Sequence, residues 1–352
     1  MEKAVNPVMI ILARESRGIP QKALADELGV TQAMVSKVES GHLQPTTQMV
    51  SKLAKALRYS EDFFYQPFQR YPAGAHFYRK HKTLPVKVST QIEAQLNIYR
   101  FQVNQLLTAA EIDFVDLPEC DIDEYGSPTE VARAVRQYLR IPSGPIANMT
   151  EILESLGVVV IPFNPDSRQF QGATMYCNKA KFVTLINSQM PGDRHRWTLA
   201  HELGHMVMHK LPTPDMETEA DEFAAEFLMP AQEIKTDLKS LYPEKLASLK
   251  MHWRVAMTAI LLHALKLRVI TERQYRTNIY RLAAEGITRS NESGGPAIPV
   301  EKASLVRELI EFHLSDLGYS LTQLSDFLWI RVAEFKQRYE HAAPSIALVQ
   351  AN

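Results

Sequence analysis

His201, Glu202 and His205 stand in the stretch Trp197-Thr-Leu-Ala-His-Glu-Leu-Gly-His205, an H-E-x-x-H pattern inside a run that reads as helix. Residues four apart on a helix share a face. Both imidazoles therefore aim at one point, where Zn²⁺ could sit. Glu202 lies on the neighbouring part of that face, from which a carboxylate can reach a metal-bound water as general base. Composition alone would give such a five-residue match in roughly one chain in a hundred of this length, so the surroundings must decide. They add a second helix, Glu217 to Pro230, with an acidic start and a core stripe of Ala220, Phe223, Ala224, Phe227 and Leu228. A two-histidine zinc site needs a third protein ligand and an open position for water. Glu217 is the choice, with Glu219 and Asp221 as the alternatives. Asp221, four residues on, is placed to hydrogen-bond a liganding histidine and fix its tautomer, whereas Glu219 points elsewhere. The plainer reading is that these acids only favour the helix dipole at an exposed start.

Two further histidines flank the pattern. His195 is six residues from His201, off the ligand face, and is expected to be solvent-exposed. His209 repeats the four-residue spacing one turn beyond His205, where it backs a ligand or lies on the surface. Upstream, Gly157 to Pro162, Ala173 to Tyr176 and Phe182 to Ile186 read as strands. A small sheet beside an H-E-x-x-H helix offers an edge on which an extended peptide can pair.

These residues resemble the ImmA/IrrE family of zinc-dependent endopeptidases. The likeness rests on Thr198-Leu-Ala-His-Glu-Leu-Gly-His205 and on the E-x-E-A-D-x-F-A-A-x-x-L-M-P pattern of Glu217 to Pro230. It extends through Phe182 to Asn187 and Met251 to Met257, and covers roughly residues 130 to 285. The resemblance implies that His201, His205 and Glu217 hold zinc and that Glu202 is the catalytic acid and base. It also implies a protein substrate, a repressor of the helix-turn-helix class.

The N-terminal region reads as a separate all-helical unit, with helices over 8–17, 21–28, 32–40, 47–57 and 60–64. Gln21 to Leu28 ends in a glycine turn and is followed by Gln32 to Ser40, the layout of a helix-turn-helix whose second helix enters the major groove. Gln32 suits adenine, and Thr31, Ser36 and Lys37 can reach base edges or phosphates. The segment resembles the XRE/Cro-like, lambda-repressor-like family through Arg17-Gly-Ile-Pro-Gln-Lys-Ala-Leu-Ala-Asp26 and Val35-Ser-Lys-Val-Glu-Ser-Gly41. The expected DNA contacts are Gln21, Thr31, Gln32, Ser36 and Lys37. Pro20 departs from the usual Ser or Thr cap.

The chain has 352 residues, 45% of them hydrophobic, enough for more than one core. Its net charge of -1 excludes a uniformly basic coat but not a local basic face. Cys120 and Cys177 are too few for a disulfide scaffold and fit a reducing cytoplasm. No signal-peptide pattern opens the chain and no run of about eighteen apolar residues occurs, so no membrane partner is expected. Residues 291–296 read as a linker, and 76–82 as one that packs its aromatics on the protease core.

The expected fold class is α+β and mainly helical. It comprises a helix-turn-helix domain (1–68), a helical linker region (69–125), a zincin-like metallopeptidase domain with a small sheet (126–290) and a helical C-terminal appendage for packing or dimerisation (291–352). The expected function is a cytoplasmic DNA-binding regulator that binds double-stranded operator DNA, in keeping with a homodimer, and carries a Zn²⁺ endopeptidase. The alternative is a regulator whose zincin-like domain senses a ligand or partner and hydrolyses nothing.

Overall fold

The computed structural model describes residues 4–68, 76–78, 85–110, 112, 114–164, 167, 169–288, 292, 295 and 297–339. Residues 79–82 of the segment read as a linker lie outside these, as do all of 291–296 except Glu292 and Gly295. The chain is α+β and mainly helical, as its sequence implies.

Four helices open it: α1 (Pro7–Ser16), α2 (Gln21–Leu28), α3 (Gln32–Glu39) and α4 (Thr47–Leu57), closed by a 3-10 turn at Glu61–Tyr65. Their starts are set locally. Asn6 caps α1 ahead of Pro7, and the Thr31 and Thr46 hydroxyls accept from Met34 and Met49 backbone N–H groups. Pro20 leaves α2 without a side-chain cap. Gly29, at φ +70°, turns the chain between α2 and α3 in the left-handed conformation that glycine adopts without strain.

After these come β1 (His76–Tyr78) and the long α5 (Val86–Leu106), then α6 (Ile122–Tyr125), α7 (Pro128–Tyr138) and α8 (Met149–Ser155). The strands β2 (Val158–Phe163), β3 (Gly172–Tyr176) and β4 (Phe182–Asn187) join β1 in one sheet of order β1-β3-β4-β2. β2 runs parallel to β4, while β3 is antiparallel to both β4 and β1. Three strands are legible in the sequence. The fourth, β1, pairs Phe77 opposite Thr174 and takes the β3 edge that would otherwise be open. Helix α9 (Gly192–Met208) lies under the sheet and α10 (Met216–Leu228) packs against it, followed by α11 (Ala231–Ile234), α12 (Pro243–Trp253), α13 (Met257–Lys266) and α14 (Glu272–Ala284). The described residues end with α15 (Leu305–Ser315), α16 (Leu321–Phe327) and α17 (Val332–Tyr339).

Strand alternation divides the interior into two cores. Val159, Ile161, Ala173, Met175, Val183 and Leu185 face α5 and share a core with α1–α4 and α15–α17. Val158, Val160 and Ile186 face the other way, onto α9, α10 and α12–α14. The last helices thus pack on the helix-turn-helix unit rather than hanging free. Tyr59 bridges to Ile330, and Arg17 and Arg338 both donate to Glu334, at 2.8 and 2.7 Å. Arg338 also donates to the Tyr59 hydroxyl at 3.0 Å.

Burial raises the pKa of the Glu334 carboxyl, but Arg338 and Arg17 together outweigh it and leave the group lowered. Glu334→Ala would strand two guanidiniums, one of them only 5% exposed at its side chain. It is expected to cost about 3–5 kcal/mol. Urea unfolding of the two proteins measures this, and a loss below about 1 kcal/mol would show that the cluster behaves as a surface pair.

Candidate metal centre and DNA-reading face

Helix α9 carries His201, Glu202 and His205, all fully buried. It passes close beneath α10 because Gly204 has no side chain: a Cβ there would lie 3.0 Å from the Phe223 ring. That approach brings the start of α10 over the histidines. His201 Nε2 and His205 Nε2 are 3.0 Å apart, and the two Glu217 carboxylate oxygens each lie 3.6 Å from one of them. A tetrahedral ion with bonds of about 2.0–2.2 Å would space its ligands by about 3.3–3.5 Å. The donor set fits a divalent metal. Glu217 is 49% exposed at its side chain, so the cluster is reached from solvent on that side.

The back of each imidazole is tied down. Asp221 Oδ1 lies 2.9 Å from His201 Nδ1 and also accepts from the Trp197 indole at 3.4 Å. A carboxylate only accepts, so His201 carries its hydrogen on Nδ1 and leaves Nε2 bare toward the cluster. His205 Nδ1 lies 2.9 Å from His209 Nδ1, and His209 Nε2 lies 3.0 Å from Glu219 Oε2. Three acids at the start of α10 therefore go three ways: Glu217 to the cluster, Glu219 to His209 and Asp221 to His201.

Glu202 receives a hydrogen bond of 2.6 Å from the Thr174 hydroxyl, which is itself 2.9 Å from the Thr184 hydroxyl. Sequence reasoning missed Thr174. Only the strand's alternation, which turns Gly172, Thr174 and Tyr176 toward α9, hints at it. A Cβ at Gly172 would come within 2.8 Å of the Thr198 methyl carbon and 3.5 Å of Glu202 Oε1, so the absent side chain leaves room for the carboxylate. Beside Asp221 and Trp197 a cavity of about 830 Å³ opens between α13 and α14, with Leu262, Tyr275 and Ile279 among its walls.

His195 corrects an expectation: it is 3% exposed, not a surface residue. The ligand-face argument says only where it does not point, and the start of α9 is itself buried. Burial, helped by Arg196, holds its imidazole down at about 4. Burial does the same to His263, also at about 4, although its Nε2 donates to the Met229 carbonyl at 3.0 Å. Both titrate near 6.5 when unfolded. Because the folded values are depressed, their contribution to stability is complete above about pH 6.5 and is lost as pH falls toward about 4. Each imidazole should remove about 2 kcal/mol by about pH 5. Chemical unfolding of the metal-free chain at about pH 7 and about pH 5 checks this, and equal stabilities would contradict it. Met257 is buried, while Met251 is 51% exposed.

In the N-terminal unit α3 packs inward through Val35 and Val38, and Thr31, Gln32, Ser36 and Lys37 are exposed on its outer side. Gln21 is half-buried, and its amide nitrogen donates to Glu39 at 2.8 Å. Arg14 also donates to Glu39, at 2.5 and 2.9 Å. This group joins the starts of α2 and the end of α3 to α1.

Residues 10–64 match the family model described as helix-turn-helix, and residues 153–265 match that described as IrrE N-terminal-like domain, a peptidase family. No match was found among curated proteins. Over these two stretches the chain is similar to a helix-turn-helix of the XRE type and to a metallopeptidase-type domain of the IrrE/ImmA kind. Among the described residues no helix is long and apolar enough to cross a membrane.

Proposed function

We propose that this chain is a DNA-binding transcriptional regulator whose second domain is a zinc endopeptidase acting on a repressor-type protein. The observation that carries the reading is the convergence of His201, His205 and Glu217 beside a buried Glu202 that is not one of the three. Zinc, when bound, would polarise the scissile carbonyl and acidify a bound water toward neutrality. Glu202 takes the proton of the attacking water and delivers it to the leaving amine. The Thr174 hydroxyl holds the Glu202 carboxylate in place, and Asp221 keeps the His201 lone pair turned inward. An extended peptide would add along the outer edge of β1, the edge strand beside α9, with the neighbouring cavity as room for its side chains.

A cavity of that size also suits a small molecule, which favours the second reading, a sensor domain without hydrolysis. Glu202, with its own hydroxyl anchor, has no work in such a sensor. The segments 1–68, 69–125, 126–290 and 291–352 are proposed as the working parts of a cytoplasmic protein. A homodimer would set two α3 helices on operator half-sites.

The deciding experiment incubates the zinc-loaded chain with helix-turn-helix repressors encoded beside it and reads new termini by mass spectrometry. A single internal cut is expected. Intact repressors together with retained operator binding would favour the sensor. On the DNA side, Lys37→Ala is expected to weaken binding uniformly across sequences and lower the salt slope by about 1. Gln32→Ala is expected to relax preference at one position by about 1–3 kcal/mol. Operator titrations at several salt concentrations measure both, and unchanged values would move the reading face off α3.

A further inference from the structure

Every polar group of the metal centre has a place in the reading above except the pair His209 and Glu219. His209 closes α9, is 5% exposed, and lies between His205 and Glu219 with both ring nitrogens engaged. We infer that Glu219 and His209 form a hydrogen-bond chain that sets the tautomer of His205 and so fixes how tightly the centre holds a divalent cation. This rests on the metal-centre reading proposed above and extends it to two positioning residues.

The direction of the chain follows from what each group can do. Glu219, as a carboxylate, only accepts, so His209 Nε2 must carry its hydrogen. In a neutral ring that leaves His209 Nδ1 bare. The two Nδ1 atoms, 2.9 Å apart, share one hydrogen, which therefore belongs to His205. His205 Nε2 is then bare, and it is this nitrogen that faces His201 Nε2 at 3.0 Å and Glu217 at 3.6 Å. Asp221 imposes the same tautomer on His201 directly. One ligand is thus backed by a carboxylate and the other by a carboxylate acting through an imidazole.

The spacing makes the relay possible. His209 is four residues beyond His205, one turn on, and the α9–α10 approach that delivers Glu217 to the cluster also delivers Glu219 to His209. Without an acceptor at position 209, the His205 Nδ1–H loses the ring nitrogen that lies 2.9 Å from it. The ring would then be as well served by a hydrogen on Nε2, where it competes with the cation.

The test uses the full chain stripped of metal and titrated with zinc against a competing chelator. His209→Leu and Glu219→Leu remove the acceptor at each link, and the dissociation constant is expected to rise about 10–100-fold. His209→Gln and Glu219→Gln keep an amide oxygen that can accept and are expected to recover most of the affinity. The double leucine variant is expected to bind no more weakly than His209→Leu alone, because the chain is already broken at its inner link. Cobalt loaded in place of zinc should show a shifted visible spectrum in the leucine variants and a near-parental one in the glutamine variants. Should His209→Leu fail to fold, the Glu219 pair, at a position 25% exposed at its side chain, carries the test. Leucine variants that bind zinc like the parent, or glutamine variants as weak as the leucine ones, would overturn the relay. A parent chain that binds no zinc would overturn the metal centre itself, and that outcome is told apart because it appears before any substitution.

Discussion

Replacing Glu202 with glutamine is expected to leave one metal per chain and to slow peptide cleavage about 10²–10⁴-fold. The two halves of that result have separate causes. The three cation-facing groups belong to His201, His205 and Glu217, so Glu202 contributes no ligand. Glutamine has the same shape and can still accept from the Thr174 hydroxyl, which lies 2.6 Å from the carboxylate it replaces. It therefore sits in the same fully buried place. What it loses is the capacity to take a proton from water and return it to an amine. Elemental analysis beside single-turnover cleavage separates the two effects. Cleavage at the parental rate would remove Glu202 from the mechanism, and loss of metal would make it a ligand.

His201→Ala has the opposite profile. It removes one of three donors from a cluster that has no substitute among the described residues, since Asp221 and Glu219 already face the backs of His201 and His209. Loss of a direct ligand should exceed the 10–100-fold effect of an outer partner, so zinc affinity is expected to fall more than about 100-fold. Purified protein should then carry well under one zinc per chain. The same substitution leaves Glu217 and Asp221 on one helix face without the imidazole between them, four residues apart. Operator binding should persist, because α3 belongs to the other core. A variant that keeps stoichiometric zinc would show that the cation sits elsewhere.

Local patterns made most of the centre legible. H-E-x-x-H states its own geometry through helical spacing, and the acidic start of the next helix could be weighed residue by residue, with Asp221 placed behind a histidine. Contacts between distant segments were not legible. Thr174 reaches Glu202 because β3 crosses above α9, and the alternation of Gly172-Ala-Thr-Met-Tyr176 gives the face it occupies but not the partner. Helical spacing turns Glu219 away from the metal. It points toward His209, and that depends on how closely α9 and α10 approach at Gly204. β1 is three residues long and exists through its pairing with β3, so no periodicity could reveal it. A helical appendage for packing or dimerisation is readable over 291–352, while the partners of α15–α17, namely α5 and the helix-turn-helix unit, are not.

The central claim is that two imidazoles and one carboxylate from successive helices hold a hydrolytic zinc with a position left for water. X-ray absorption at the zinc edge of the loaded protein tests it most directly. The expected result is a light-atom shell at about 2.0–2.1 Å, with the outer-ring scattering of two histidines and no sulfur. A shell containing thiolate at about 2.3 Å, or scattering from fewer than two imidazoles, would contradict the account.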